Sequence, residues 1–197
     1  DRDYIFPDPG PFEFDEAEAF INEYGSDYGI YVECYCGIFE RAWFLRGLSN
    51  LITDFYRHPD LVEKLLDKVL EYKMKEVDML LSNLDTDYID FFLLGDDYGT
   101  QKGPILNPAI WRKFIRPRLQ KLVNYIRGKG VLVALHSCGN VTPFIPDFIE
   151  IGISILNPVQ PRAMNLKFLK KKFGDKLCFF GTIDTQRTLP HGTPRDV

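Results

Sequence analysis

The run Val131-Leu-Val-Ala-Leu-His-Ser-Cys-Gly-Asn140 is an apolar stretch that passes directly into His136, Cys138 and a Gly-Asn pair. A short, wholly apolar run of this kind reads as a parallel strand covered on both faces. In an extended chain, residues two apart project to the same side. His136 and Cys138 therefore aim an imidazole nitrogen and a sulfur at one point just past the strand. Such a pair is half of a zinc site, and a catalytic zinc keeps one position open for substrate. The plainer alternative is a hydrogen-bonded core histidine beside a small buried thiol, and two donors alone do not decide between the two.

Four further runs share the apolar pattern: Ile30–Cys34, Ile89–Leu94, Ile153–Asn157 and Leu177–Phe180. Helical periodicity lies between them. From Asp60 to Leu84 apolar residues recur at Leu61, Leu65, Val69, Val77, Leu80 and Leu81, and His58-Pro59 marks the start. A second long helix is predicted from Asn107-Pro108 to Gly128-Lys-Gly130, with glycine at its end. Shorter ones fit Thr142–Ile151, closed by Gly152, and Asn165–Phe173, closed by Gly174. Strand alternating with helix implies an α/β fold with a parallel sheet or barrel. The close spacing of the later units suits a (β/α)8 TIM barrel. The rival, a doubly wound open sheet, would carry a glycine-rich phosphate turn after its first strand, and none is present.

At 197 residues and 45% hydrophobic content the chain can bury a core of its own. Its 24 basic and 28 acidic residues, net −4, give no electrostatic footprint for nucleic acid or an anionic membrane. Lys170-Lys171-Lys172 fits a solvated face at a helix C-terminus. With no membrane-length apolar segment and no signal-peptide pattern, and with Cys34, Cys36, Cys138 and Cys178 reading as reduced thiols, the expected compartment is the cytoplasm. The segment Thr193-Pro-Arg-Asp196 has the form of a capping box that opens a helix, and five strands cannot close an eight-stranded barrel. The expectation is one barrel domain over 1–197, incomplete at both ends.

Barrel enzymes gather their reactive groups at the C-terminal ends of strands. Here those ends read Glu33-Cys-Tyr-Cys-Gly37, Gly95-Asp-Asp-Tyr-Gly99, His136-Ser-Cys-Gly-Asn140, Asn157-Pro-Val-Gln160 and Gly181-Thr-Ile-Asp184. Asp96 and Asp97 are adjacent and must point to opposite sides. One is a candidate ligand, base or clamp at the mouth, and the other would hold a loop. Asp184 is a further catalytic candidate, with a turn or helix cap as its alternative. Cys34 and Cys36 repeat the two-residue spacing and could complete a four-ligand zinc site, although a C-x-C is a weak signal. Cys178 reads as core packing, His58 as surface, and His191 as part of a loop.

Taken in order, Gly95-Asp-Asp-Tyr-Gly-Thr-Gln-Lys-Gly-Pro104, the following Ile105-Leu-Asn-Pro-Ala-Ile-Trp-Arg-Lys-Phe-Ile-Arg-Pro117, His136-Ser-Cys-Gly-Asn140 and Ile155-Leu-Asn-Pro-Val-Gln160 resemble the uroporphyrinogen decarboxylase superfamily. That superfamily includes the decarboxylases of haem biosynthesis and zinc-dependent methyltransferases that act on methyl-corrinoid proteins. The resemblance implies a TIM barrel of which the five runs are about strands 3 to 7. It implies zinc at His136 and Cys138, which match the H-x-C motif of the methyltransferase branch, with a third ligand in a region beyond Val197. It also implies catalytic roles for Asp96, Asp97 and Asp184, and substrate contacts at Tyr98, Gln160, Trp43 and Arg46. Trp43 stands where the decarboxylases carry a tyrosine, which weighs against porphyrinogen decarboxylation.

The expected function is a zinc-dependent methyltransferase moving a methyl group from a methyl-corrinoid protein to a thiol or similar acceptor. Its partners would be a small-molecule substrate and a corrinoid protein, with a homodimer compatible and neither nucleic acid nor membrane involved. The alternatives are a carboxy-lyase acting on a porphyrinogen, which needs no metal, and a non-catalytic barrel that binds a corrinoid or porphyrin.

Overall fold

The computed structural model describes residues 4–10 and 13–197. Five strands, β1 (Tyr31–Cys34), β2 (Phe91–Gly95), β3 (Leu132–His136), β4 (Ile155–Asn157) and β5 (Cys178–Phe179), form one sheet in the order β1-β2-β3-β4-β5. Every neighbouring pair is parallel. Each strand falls inside one of the five apolar runs or overshoots it by a residue, and the α/β fold is that of a partial TIM barrel.

Two-residue alternation sorts the strands into two faces. Phe92 and Leu94 of β2, Val133 and Leu135 of β3 and Leu156 of β4 point outward and are buried to 3% exposure or less. They pack beneath α4 (Pro59–Asn83), α6 (Arg116–Gly128) and α7 (Ile145–Ile151). The inner row is more open: Tyr31, Leu132 and Phe180 keep 45%, 52% and 43% of their surface. Tyr31 stacks on Phe91 in this row at 5.0 Å, and Phe91 meets Phe180 edge-on at 6.4 Å.

Several helices depart from the periodicity reading. The segment expected to be one helix from Asn107 is two, α5 (Pro108–Phe114) and α6, because Pro117 has no N–H to continue the ladder across Ile115. Thr142–Phe144 is a 3₁₀ turn before α7, and Pro146 removes the corresponding donor there. Helix α1 (Asp15–Tyr24) lies ahead of β1, and α2 (Ile38–Arg46) and α3 (Leu48–Arg57) lie between β1 and α4, stretches in which the periodicity singled out no helix; α9 (Thr188–His191) is a single turn. Three acidic residues in the first turn of α1 complement its dipole. Gly47, at φ +79°, turns the corner between α2 and α3. Helix α8 (Leu166–Phe173) is capped by the Asn165 side chain, which accepts from the Phe168 N–H. Past α9, Asp196 accepts from the Thr193 N–H, which is one half of a capping box, and from the Thr193 hydroxyl, while its own N–H donates to the Thr193 carbonyl instead of the hydroxyl. Among the described residues no helix is long and apolar enough to cross a membrane.

The densest packing lies where β2 and β3 run out beneath α5 and α7. Trp111 and Phe144 stand 4.6 Å apart, Tyr98 meets Trp111 edge-on at 5.5 Å, and Phe148 packs against all three. Phe144 is wholly buried and meets Tyr98 from the loop after β2, Trp111 of α5 and Phe148 of α7. Phe144→Ala should therefore lower the unfolding free energy by about 3–5 kcal/mol in a denaturant titration, the range for a large aromatic truncated in a core that collapses only in part.

Candidate metal centre

Parallel register sets Gly95 of β2 beside His136 of β3, and His136 beside Asn157 of β4. These residues end their strands on the inner face, so Asp97 and Cys138, two residues on, project to the same side. One ligand atom from each of Asp97, His136 and Cys138 lies within 4.8 Å of the others. His136 Nε2 is 3.6 Å from Cys138 Sγ. A nitrogen and a sulfur at the usual zinc bond lengths on a tetrahedral centre stand about 3.6 Å apart, so this spacing fits one shared ion.

The surroundings orient these donors. His136 Nδ1 is 2.7 Å from the Asn157 side-chain oxygen. An amide oxygen only accepts, so the proton sits on Nδ1 and the Nε2 lone pair faces Cys138. Asp97 Oδ1 accepts from the Cys138 backbone N–H at 2.7 Å, which ties the two loops that carry the donors. Burial first, and then the Asp97 and Glu40 carboxylates, push the Cys138 thiol above its ordinary pKa. A thiol raised in this way stays protonated at neutral pH, and a cation at the shared point is what would hold it as thiolate.

Gly139 shows why the strand must be followed by glycine. Its φ is +80°, and a Cβ there would lie 2.6 Å from backbone atoms of Gly99 and Thr100. The close approach lets Asn140 donate to the Thr100 carbonyl at 2.7 Å, while the Tyr98 N–H donates to Ser137 Oγ at 2.9 Å. The loops after β2 and β3 are thereby fastened to each other.

Asp96 points the opposite way. It is buried, and its carboxylate accepts from the N–H groups of Phe39 and Glu40 in the first turn of α2 at 2.9 and 2.8 Å, and from the Tyr98 hydroxyl at 2.8 Å. Helix α2 has no side-chain cap of its own because Gly37 occupies that position, and a Cβ on Gly37 would lie 2.4 Å from the Asp96 Cβ. Asp96 supplies the cap from another strand.

The remaining expected site residues are not gathered at the trio. Tyr98, expected on the substrate, is instead 1% exposed in the aromatic core with its hydroxyl held by Asp96. Trp43 packs edge-on against Phe39 at 4.8 Å, and Arg46 is held by the buried Asp54 at 2.6 Å. The sequence pattern could not tell these tertiary partners from a substrate. Gln160 does reach the loop after β3, where its side-chain oxygen accepts from Gly139 N–H at 3.2 Å and from Gln101 at 2.8 Å. Asp184 pairs with Arg162 at 2.7 Å and accepts from the Gln186 and Arg187 N–H groups ahead of α9. Cys34 faces outward and takes a hydrogen bond from the buried Lys73 at 2.9 Å, so it is no partner of His136 and Cys138. Cys178, read as core packing, is exposed at the sheet edge.

Two residues at the mouth were not singled out from the sequence. Tyr35 stands edge-on to His136 at 5.7 Å, and Glu40 acts electrostatically on both Asp97 and Cys138. Burial, together with Asp96 and Asp97, pushes the Glu40 carboxyl up to about 7. An acidic residue three positions after the glycine that opens α2 was the available signal, but its meaning depends on contacts far along the chain.

Fold and site together define a parallel α/β barrel segment with nitrogen, oxygen and sulfur donors at the C-terminal ends of neighbouring strands. The uroporphyrinogen decarboxylase (URO-D) family model matches residues 36–197, and the chain belongs to that family. Among solved structures, a methyltransferase from Methanosarcina mazei is similar, with a TM-score of 0.73 at 22% identity over 89% of this chain and 49% of that one. This chain thus spans about half the length of that structure. None of the curated proteins compared matches the sequence.

Burial pushes the Asp96 carboxyl up to about 6, against the hydrogen bonds that favour its charge. Its folded pKa lies above its unfolded value, so between about pH 4 and 6 the folded chain holds a proton that the unfolded chain releases, and stability falls as pH rises through that window. Asp96→Asn leaves one of three donors unpaired and should cost about 1–3 kcal/mol. In metal-free protein the loss should be larger at pH 4.5 than at pH 7, since the variant lacks this titration. Urea unfolding at the two pH values measures the difference.

Proposed function

We propose that this chain carries the metal centre of a zinc-dependent methyltransferase of the uroporphyrinogen decarboxylase family, which transfers a methyl group from a methyl-corrinoid protein to a small thiol or similar acceptor. The observation that carries the reading is the 3.6 Å spacing of His136 Nε2 and Cys138 Sγ, with Asp97 beside them and Nδ1 engaged by Asn157. The family match supports it, and so does the shared fold with a methyltransferase. A bound zinc ion would supply a Lewis acid that keeps an acceptor thiol as thiolate at neutral pH.

The chain's own residues do the rest. Asn157 holds the His136 tautomer and so presents Nε2 to the shared point. Asp97 fixes the backbone at Cys138 through its Oδ1 and adds an oxygen donor to the nitrogen and sulfur. Gln160 bridges Gly139 and Gln101 and holds the loops after β2, β3 and β4 in one arrangement. Reacting groups kept this close, within a frame that does not need to reorganise, gain from proximity and orientation. The acceptor's sulfur forms the new bond to the methyl carbon, and the electron pair of the broken methyl bond stays with the corrinoid. The partners in this reading are a small-molecule acceptor and a corrinoid protein.

Elemental analysis of the purified protein tests the reading, with near-stoichiometric zinc as the expected result. Cys138→Ser should lose that zinc while circular dichroism stays unchanged, because a neutral hydroxyl is a much poorer zinc ligand than a thiolate. Protein that takes up no zinc under any loading condition sinks the proposal and favours the metal-free carboxy-lyase. Asn157→Ala removes only the orienting partner, and a zinc titration should read a loss of about 10–100-fold in affinity.

A further inference from the structure

Gly95, His136 and Asn157 stand in a row at the strand ends, and the first of them has no side chain. The Tyr35 ring takes that place from the end of β1: a Cβ on Gly95 would lie 2.3 Å from a Tyr35 ring carbon. The ring stands edge-on to the His136 imidazole, with centres 5.7 Å apart and planes at 83°. Two rings attract in this arrangement. His136 is thus flanked by Tyr35 on the β2 side and by the Asn157 amide on the β4 side.

The tyrosine is itself held. Lys73, buried on the outer face, donates to the Tyr35 carbonyl at 2.9 Å and is fixed by Cys34 and Glu76 at 2.9 and 2.6 Å. The Gly37 N–H, two residues on, donates to the Gly95 carbonyl at 2.7 Å. The Tyr35 hydroxyl is hydrogen-bonded to the exposed Glu33. His136 needs such a neighbour. One hydrogen bond at Nδ1 leaves the imidazole free to pivot about the line from its Cβ to Nδ1, and that pivot carries Nε2 away from the point it shares with Cys138. A contact on the ring itself stops it.

Resting on the methyltransferase reading and its metal centre, we propose that Tyr35 is a positioning residue: its ring, seated over Gly95, holds the His136 imidazole at the angle that points Nε2 to the metal position. Asn157 sets which nitrogen carries the proton, and Tyr35 sets where the other one points. Gly95 belongs to the same device, since a side chain there would push the ring aside.

Zinc affinity, measured by titration against a competing chelator, tests this in Tyr35→Phe, Tyr35→Ala, Gly95→Ala and the Tyr35→Ala/Gly95→Ala double variant. Tyr35→Ala should lose about tenfold, the scale for a residue that orients a metal's ligand. Tyr35→Phe should keep the wild-type affinity, because the ring and not the hydroxyl meets His136. Gly95→Ala should lose about as much as Tyr35→Ala, and should add nothing once Tyr35 is alanine, since the clash with the ring is then gone. Cobalt(II) in place of zinc reads the ligand geometry directly: its visible d–d bands should move in Tyr35→Ala and stay in Tyr35→Phe. Unchanged affinity or bands in Tyr35→Ala, equal losses in Tyr35→Phe and Tyr35→Ala, or additive losses in the double variant overturn the positioning role and leave the zinc reading standing. Tyr35 is 45% exposed, so its variants carry the test alone if Gly95→Ala fails to fold. A wild type that takes up no zinc overturns the methyltransferase reading and this inference with it.

Discussion

Gly95, His136 and Asn157 stand side by side at the ends of three parallel strands, and the chemistry of the mouth depends on that register. Two-residue alternation then sends Asp97 and Cys138 to the face that His136 already occupies. A slip of β3 by one residue against β2 would turn His136 and Cys138 away from Asp97 and bring Ser137 inward instead. The buried outer row makes such a slip costly, since it would turn Val133 and Leu135 out of the core they share with Phe92, Leu94 and Leu156. Core packing on one face of the sheet thus sets donor geometry on the other.

The first turn of α2 is the second element held to that frame. Its N–H groups are capped by Asp96, and the Gly37 N–H donates to the Gly95 carbonyl at 2.7 Å. Behind it, the buried Lys73 of α4 donates to Cys34 Sγ, to the Tyr35 carbonyl and to Glu76 at 2.9, 2.9 and 2.6 Å. A buried ammonium is tolerated only with such partners, and removing any one would leave a charge uncompensated. The same contacts pin the end of β1, which carries Tyr35 toward His136. Burial pushes the Cys34 thiol up to about 11, so it serves as a packed acceptor rather than a nucleophile or ligand.

Much of this architecture was legible in the sequence, because apolar runs covered on both faces and strand-end polar residues leave strong local patterns. The parallel order of the five strands and the family both followed from them. Local pattern fails where a partner lies far along the chain. Helix α2 carries no cap of its own and little amphipathic contrast, and its cap comes from Asp96, 57 positions from Phe39. The family resemblance implied a substrate contact at Tyr98, yet it shares the outward phase of Asp96 and joins the aromatic core. Proline breaks at Pro117 and Pro146 were visible as residues but not as boundaries, since the periodicity runs through them.

The Asp96-Asp97 pair shows how adjacent identical residues divide between stability and chemistry. Neither type nor spacing tells which one faces the mouth, and only the strand phase decides. Asp96 lies among Phe39, Glu40 and Tyr98, where burial raises its pKa and three donors hold it, so its work is to fasten α2 to β2. Asp97 is half-buried at the open end, with one oxygen on the Cys138 N–H and an oxygen close enough to His136 and Cys138 to share an ion. Exchanging their environments would bury the ligand and expose the cap. The dipeptide therefore couples the two functions: what holds the helix against the sheet also sets the phase that brings a carboxylate to the metal position.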